Sequence, residues 1–240
     1  MRRSSLLRSL RTRTYLACYL AARAHPRRSG YGQYGEDLVA ARILGDVSTF
    51  VDIGAGDGRV GSNTFLFALR GAGGACAEPL RAHFERLRRL YSLRRDVTCV
   101  RAAVSSAHGE APLVVDGGMS RLPATEDAAL LAALGREGRQ RPTETVPVIT
   151  FPELISRSRL GYEIDLVSID VEGHEWEIIK SIPFETFRFG AIIVETHLTL
   201  ERREVWRNPR LSEIEARLAA HGYEKHWASP VNDIYLRRPA

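Results

Sequence analysis

Short apolar runs alternate with longer amphipathic ones through most of this chain. Thr49, Phe50, Val51 and Ile53 form a run of β-formers that predicts a strand over 49–53, stopped by Gly54. Before it, Leu38, Val39, Ile43 and Leu44 fall near helical spacing and predict a helix over 33–44, with Gly45 as its stop. After it come a helix at about 62–70 and a strand at 75–77 ending at Glu78-Pro79. Proline cannot continue a strand ladder but fits the first turn of the helix predicted at 80–91. Residues 97–104 read as a third strand and 113–115 as a short extra one. Regularity returns with a strand at 146–149, a helix at 151–158, a buried strand at 164–170, a helix at 174–181 and a buried strand at 190–195. A helix at 209–221 and two strands, 223–227 and 233–236, close the chain as an antiparallel pair. Strand–helix alternation of this kind predicts an α/β fold: one doubly wound, mostly parallel sheet with a C-terminal antiparallel hairpin. Residues 116–143 break the rhythm with Gly117-Gly118, an Ala/Leu-rich piece and further glycines, and read as a variable insertion over the site of a single domain spanning 31–240.

Composition changes this picture little. The chain has 240 residues, enough for one domain with a sizeable core, and its 44% hydrophobic and 26% charged content is ordinary for a globular protein. Charge is more informative. Residues 1–30 hold eight arginines and no acid, so removing them from a net charge of +5 leaves −3 for the rest. The basic character therefore belongs to an N-terminal arm and argues against a nucleic-acid-binding core. The uncharged run 14–22 is about half of the ~20 residues that cross a bilayer. The arm reads either as a basic helix resting weakly on an anionic membrane surface or as a segment packed or frayed beside the domain, and in both cases as dispensable for chemistry. Cys18, Cys76 and Cys99 make no C-x-x-C pair, which argues against a disulfide framework or zinc site and for a reducing, cytoplasmic setting. Nothing in the sequence sets the oligomeric state.

The chemistry is concentrated at strand ends. Phe50-Val-Asp-Ile-Gly-Ala-Gly-Asp-Gly58 is a strand feeding a glycine-rich turn, which lets backbone approach a ligand and presents free N–H groups to it. The spacing is G-x-G-x-G with Asp52 two residues ahead, not the G-x-G-x-x-G that dinucleotide sites favour. Glu78, at the end of the second strand, is placed to accept hydrogen bonds from ribose hydroxyls. In Val167-Ser-Ile-Asp-Val-Glu-Gly-His-Glu175 an apolar strand delivers Asp170, Glu172 and His174 at its carboxyl end, groups that exchange protons or bind a metal. Val194-Glu-Thr-His197 ends the next strand, so Glu195 and His197 are expected beside Asp170. A plain glycine turn, a solvated acid and a helix N-terminus dressed with acids are the non-functional readings of the same residues.

Taken in order, Gly32-Gln-Tyr-Gly-Glu-Asp37, the 50–58 loop, Gly61-Ser-Asn-Thr64, Glu78-Pro79, Ala102-Ala-Val-Ser105 and 168–175 resemble the FkbM family of S-adenosylmethionine (SAM) methyltransferases. The resemblance covers about 31–200. It implies the class I, Rossmann-like methyltransferase fold and O-methylation of a hydroxyl on a sugar, glycan or natural product. It also implies that Asp52, Gly54, Gly56, Asp57, Asn63, Thr64 and Glu78 hold SAM, with Gln33 and Asp37 capping the cofactor. Asp170 then lies near the transferred methyl, with Glu172, His174 and His197 as the other catalytic candidates and either histidine as the base. Gly56 departs from the family pattern, where asparagine is common; a backbone role survives that change. A metal held by Asp170 and Glu195 is the alternative to a protein base, and the favoured reading is metal-free. N-methylation, protein methylation and a non-catalytic docking protein are the rival functions.

Overall fold

The structure, a computed structural model, describes residues 19–22, 30–115, 120, 122, 142–200 and 203–238. Its centre is a seven-stranded sheet. β1 (Thr49–Ile53), β2 (Gly73–Ala77), β3 (Val97–Val100), β7 (Glu163–Ile169) and β8 (Arg188–Glu195) run parallel, and β11 (Tyr223–Ala228) and β12 (Asn232–Arg237) form the closing hairpin. The spatial order is β11-β12-β8-β7-β1-β2-β3, with β12 antiparallel to β8. The order reverses beside β1, which places a crevice at the carboxyl ends of β1 and β7.

Each central strand divides its residues between two cores, as a period of two requires. Val51, Ile53, Val167, Ile169, Ile192 and Val194 face one layer, built from α4 (Phe151–Ser156), α5 (Glu175–Ser181) and α6 (Leu211–Ala220). Phe50, Leu166, Ala191 and Ile193 face the other, built from α1 (Glu36–Leu44), α2 (Phe65–Arg70) and α3 (Arg81–Leu90). Helices therefore cover both faces, and the strands are apolar nearly throughout.

The expected elements are present, with local differences. The single strand read at 97–104 is two. β3 stays in the main sheet, while β4 (Ala103–Val104) turns away to pair with β6 (Thr143–Ile149), which also pairs with β5 (Gly109–Val114) in a small separate sheet. β9 (His197–Leu200) and β10 (Arg203–Arg207) form a hairpin that the polar 197–207 stretch does not announce. α1 begins at Glu36 rather than 33 because Gly35 takes a left-handed turn, φ 82°. α2 begins at Phe65 because Ser62 Oγ accepts the N–H groups of Thr64 and Phe65.

Part of the basic arm belongs to the domain. Tyr19 is buried, its ring meets Phe65 edge-on at 6.2 Å, and its hydroxyl donates to the Ala68 carbonyl. Arg94 in turn donates to the Tyr19 hydroxyl at 2.7 Å. The rest of the arm and most of 116–143 lie outside the described residues. Cys76 and Cys99 are free register neighbours on β2 and β3, and among the described residues no helix is long and apolar enough to cross a membrane.

Candidate active site

Because β1, β2, β7 and β8 are parallel, Gly54, Glu78, Asp170 and Glu195 emerge at one sheet edge. A cavity of about 850 Å³ opens along that edge. Its floor is a close approach between two loops. Asp170 N–H donates to the Ile53 carbonyl at 3.0 Å, and the Asp170 carbonyl would lie 1.7 Å from any Cβ at Gly54, whose φ is +82°. Only glycine fits there.

One end of the cavity is the glycine loop. Glu78 is buried and its carboxylate ties the loop to the start of α3: Gly56 N–H donates to Oε2 and Leu80 N–H to Oε1, both at 2.8 Å. Burial pushes the Glu78 carboxyl up to about 7, against the pull of those two bonds. Thr64 Oγ1 donates to Asp52 Oδ2 at 2.6 Å, and burial holds Asp52 at about 6. Asp57 closes the loop by accepting the Arg59 and Val60 N–H groups, both at 3.0 Å. Asn63 donates to Ser168 Oγ, while its Oδ1 is buried at the cavity wall with no hydrogen-bond partner among the described residues.

The opposite end is acidic. Asp170 and Glu172 are half-buried, Glu195 is buried, and one oxygen from each lies within 4.8 Å of the others. Desolvation holds Asp170 at about 6 despite its bond with Glu195. Glu195 is driven well above the usual carboxylate range by burial first and then by Glu172 and Asp170. Glu172 has φ 59°, alone among the described non-glycine residues in lying in that region. Glu175 secures the turn: its Oε1 accepts the Val171 and Gly173 N–H groups, and its Oε2 accepts from Asn208. His174 lines the cavity, with Nε2 2.9 Å from Ser105 Oγ.

The sequence-derived candidates divide accordingly. Gln33, Asp52, Gly54, Gly56, Asp57, Asn63, Glu78, Asp170, Glu172 and His174 line the one cavity. Asp37, Thr64 and His197 do not. Asp37 Oδ2 accepts the Tyr31 N–H at 2.7 Å and so holds the strap that carries Gln33 over the cavity. Thr64 acts through Asp52. His197 Nδ1 meets Thr196 Oγ1 at 2.8 Å. Sequence reasoning missed Glu175, Asn208, His83 and Arg86; the last two also line the cavity, and Glu175 stands inside the 168–175 motif without being marked out by it.

A family model, the Methyltransferase FkbM domain, matches residues 52–225. The chain belongs to the FkbM methyltransferase family. Its fold is the class I SAM-dependent methyltransferase fold, and S-adenosylmethionine is the cofactor of that fold. Among solved structures, the chain is similar to methyltransferase FkbM from Methylobacillus flagellatus KT, with 13% identity, a TM-score of 0.47, and coverage of 80% of this chain but 44% of that one. The FkbM chain described here thus spans less than half of that protein. It is also similar to precorrin-6y C5,15-methyltransferase from Geobacter metallireducens GS-15, with 18% identity, a TM-score of 0.45 and coverage of 85% and 87%. A third is magnesium protoporphyrin IX methyltransferase from Synechocystis PCC 6803 with bound SAM, with 13% identity, a TM-score of 0.42 and coverage of 85% and 78%. No curated protein matches this FkbM chain by sequence.

Proposed function

We propose that this FkbM methyltransferase methylates a hydroxyl oxygen on a sugar, glycan or natural product, with SAM as donor. The observation that carries the reading is the polarity of the cavity: a glycine loop and Glu78 at one end, and Asp170, Glu172 and His174 at the other. The glycine-loop end suits the cofactor. A Cβ at Gly56 would meet nothing within 4 Å, Asn63 presents a buried oxygen with no partner among the described residues, and Glu78 has lone pairs left for a ribose diol. Bound SAM supplies a methyl on positively charged sulfur, whose carbon–sulfur bond breaks with its electron pair left on sulfur as the acceptor oxygen bonds to carbon. The chain's own work is to hold the acceptor oxygen in line and to remove its proton. In this reading Asp170 and Glu172 orient the acceptor, and His174, which lines the cavity where His197 does not, takes the proton.

The test is transfer of isotopically labelled methyl from SAM to a panel of sugars, glycans and polyketide alcohols, with the product's methylated atom identified by mass spectrometry and NMR. Label on oxygen, lost in Asp170→Asn, supports the reading. Label found only on nitrogen or on protein overturns it.

A further inference from the structure

Two buried acids, Glu195 on the wall of the cavity and Glu175 behind it, show opposite states. Glu175 is fully used, with two N–H groups on one oxygen and Asn208 on the other. Glu195, only 5% exposed, bonds to Asp170, but its Oε2 has no N–H or O–H donor among the described residues, and the residue faces the cavity. A buried carboxylate oxygen without a donor is costly. The charges that act on Glu195 are Glu172, Asp170 and Glu175, and Glu36 acts on Asp170 in the same sense, so the neighbours raise that cost. A shared proton brings one charge to three carboxylates. A divalent ion brings two and takes an oxygen from each.

The dimensions agree with such an ion. Two oxygens on one metal lie no farther apart than twice the metal–oxygen distance, about 4.2 Å for Mg²⁺ and about 4.6–5.2 Å for Ca²⁺. One oxygen from each of Asp170, Glu172 and Glu195 falls within 4.8 Å of the others, a spacing that meets the Ca²⁺ span and that a smaller ion would have to draw inward. All three ligands are hard oxygens, which suits Mg²⁺, Mn²⁺ or Ca²⁺ rather than a thiophilic metal. Three carboxylate oxygens leave about half of an octahedral shell for water and one further ligand.

We infer that Asp170, Glu172 and Glu195 form a site for a hard divalent cation, open on the cavity side to an oxygen of the acceptor. The role of that open position rests on the O-methylation reading; the cation site itself does not. An acceptor hydroxyl bound there is acidified by the metal, releases its proton to His174, and keeps the electron pair that forms the new bond to carbon.

The full chain, stripped with chelator and dialysed, is titrated with Mn²⁺ and free Mn²⁺ is followed by electron paramagnetic resonance. We expect one saturable site per chain. Glu195→Gln and Glu172→Gln should each weaken it by about tenfold or more, the scale on which ligand-shell changes act. Glu172 is on the half-buried turn, so its variant keeps the test alive if Glu195→Gln does not melt like the parent. SAM affinity measured in chelator should be alike in parent and variants. No saturable Mn²⁺ binding in the parent, or binding unchanged in the folded variants, overturns the site. So does a loss of SAM affinity with Mn²⁺ binding intact, because the acids would then serve the cofactor's own positive charge. Mn²⁺ binding that Glu172→Gln weakens, in a protein that methylates no hydroxyl, keeps the cation site and removes the acceptor reading. Oxygen methylation undiminished in excess chelator keeps the O-methylation reading and overturns the metal's part in it.

Discussion

The close approach of β1 and β7 gives the sharpest single test, through the contrast between Gly54→Ala and Gly56→Ala. A Cβ at Gly54 would lie 1.7 Å from the Asp170 carbonyl, while real Cβ contacts stay beyond 3.0 Å, so the two loops must part by about 1.3 Å. The substitution also places a side chain at φ +82°, which costs about 1–2 kcal/mol. Forced overpacking adds about 1–3 kcal/mol. Parting the loops weakens the bonds from Asp170 N–H to Ile53 and from Gly54 N–H to Ala77, both 3.0 Å, for about 1 kcal/mol more. The sum is about 3–6 kcal/mol, a large part of the ~5–15 kcal/mol that holds a domain together. At about 2–4 °C per kcal/mol for a chain of this size, Gly54→Ala should melt roughly 6–24 °C below the parent. Gly56 has φ +56° and open space where a methyl would stand, so Gly56→Ala should cost only about 1 kcal/mol, or about 2–4 °C. Its methyl would instead stand over the cavity and weaken SAM. Differential scanning fluorimetry and urea unfolding of the cofactor-free protein measure the first effect, and calorimetry with SAM the second. If the two variants melt within about 3 °C of each other, the Asp170 carbonyl does not pack on Gly54 and the cavity floor is not the close approach of these two loops.

Other outcomes follow from the same geometry. Glu78→Ala should remove charge-assisted bonds worth about 1.5–3 kcal/mol and raise the SAM dissociation constant about tenfold or more, with the fold retained; an unchanged constant by calorimetry would exclude Glu78 from the cofactor site. Asp170→Asn should lower single-turnover methyl transfer by about 10²-fold with little change in SAM affinity. Burial raises the Glu78 carboxyl from 4.5 to about 7, so the folded state binds more protons than the unfolded one between those values, and stability should fall as pH rises from about 4.5 through about 7, then level off. That contribution is about 3 kcal/mol, and melting curves of Glu78→Gln should lack it; an identical pH slope in parent and variant would refute it. Tyr19→Ala should destabilise by about 2–4 kcal/mol, because it empties a buried ring site against Phe65 and removes a bond to Ala68, and an unchanged melting temperature would leave this part of the arm outside the domain.

What the sequence made legible was what short-range chemistry decides. Residues 49–53 could be read as a strand to the residue, because β-formers end abruptly at a glycine that the Asp170 carbonyl makes obligatory. Asp170 and Glu195 could be paired in advance because strands consecutive in a doubly wound sheet usually neighbour one another, as β7 and β8 do. The break inside 97–104 was illegible because Arg101-Ala102 carries no turn residue; β4 leaves the main sheet only because β6, some forty residues later, offers it a partner. Tyr19 escaped notice for a similar reason. One tyrosine in an arginine-rich arm reads as an incidental aromatic until Phe65 and the Ala68 carbonyl come to meet it. The two histidines make the point for function. His174 and His197 each follow a buried strand within a few residues, and nothing local ranks one above the other. His174 remains at the cavity wall because Glu175 fastens the turn before it, whereas His197 already begins β9 and pairs with Arg207. The acids that shape the site thus do so in two ways. Glu175 spends its lone pairs on two backbone N–H groups and the Asn208 amide and fixes where other residues stand, while Glu195 Oε2, also buried, has no donor among the described residues. That difference is a property of long-range pairing, and it marks the acidic end of the cavity, rather than the more recognisable glycine loop, as the place where this protein's particular chemistry is decided.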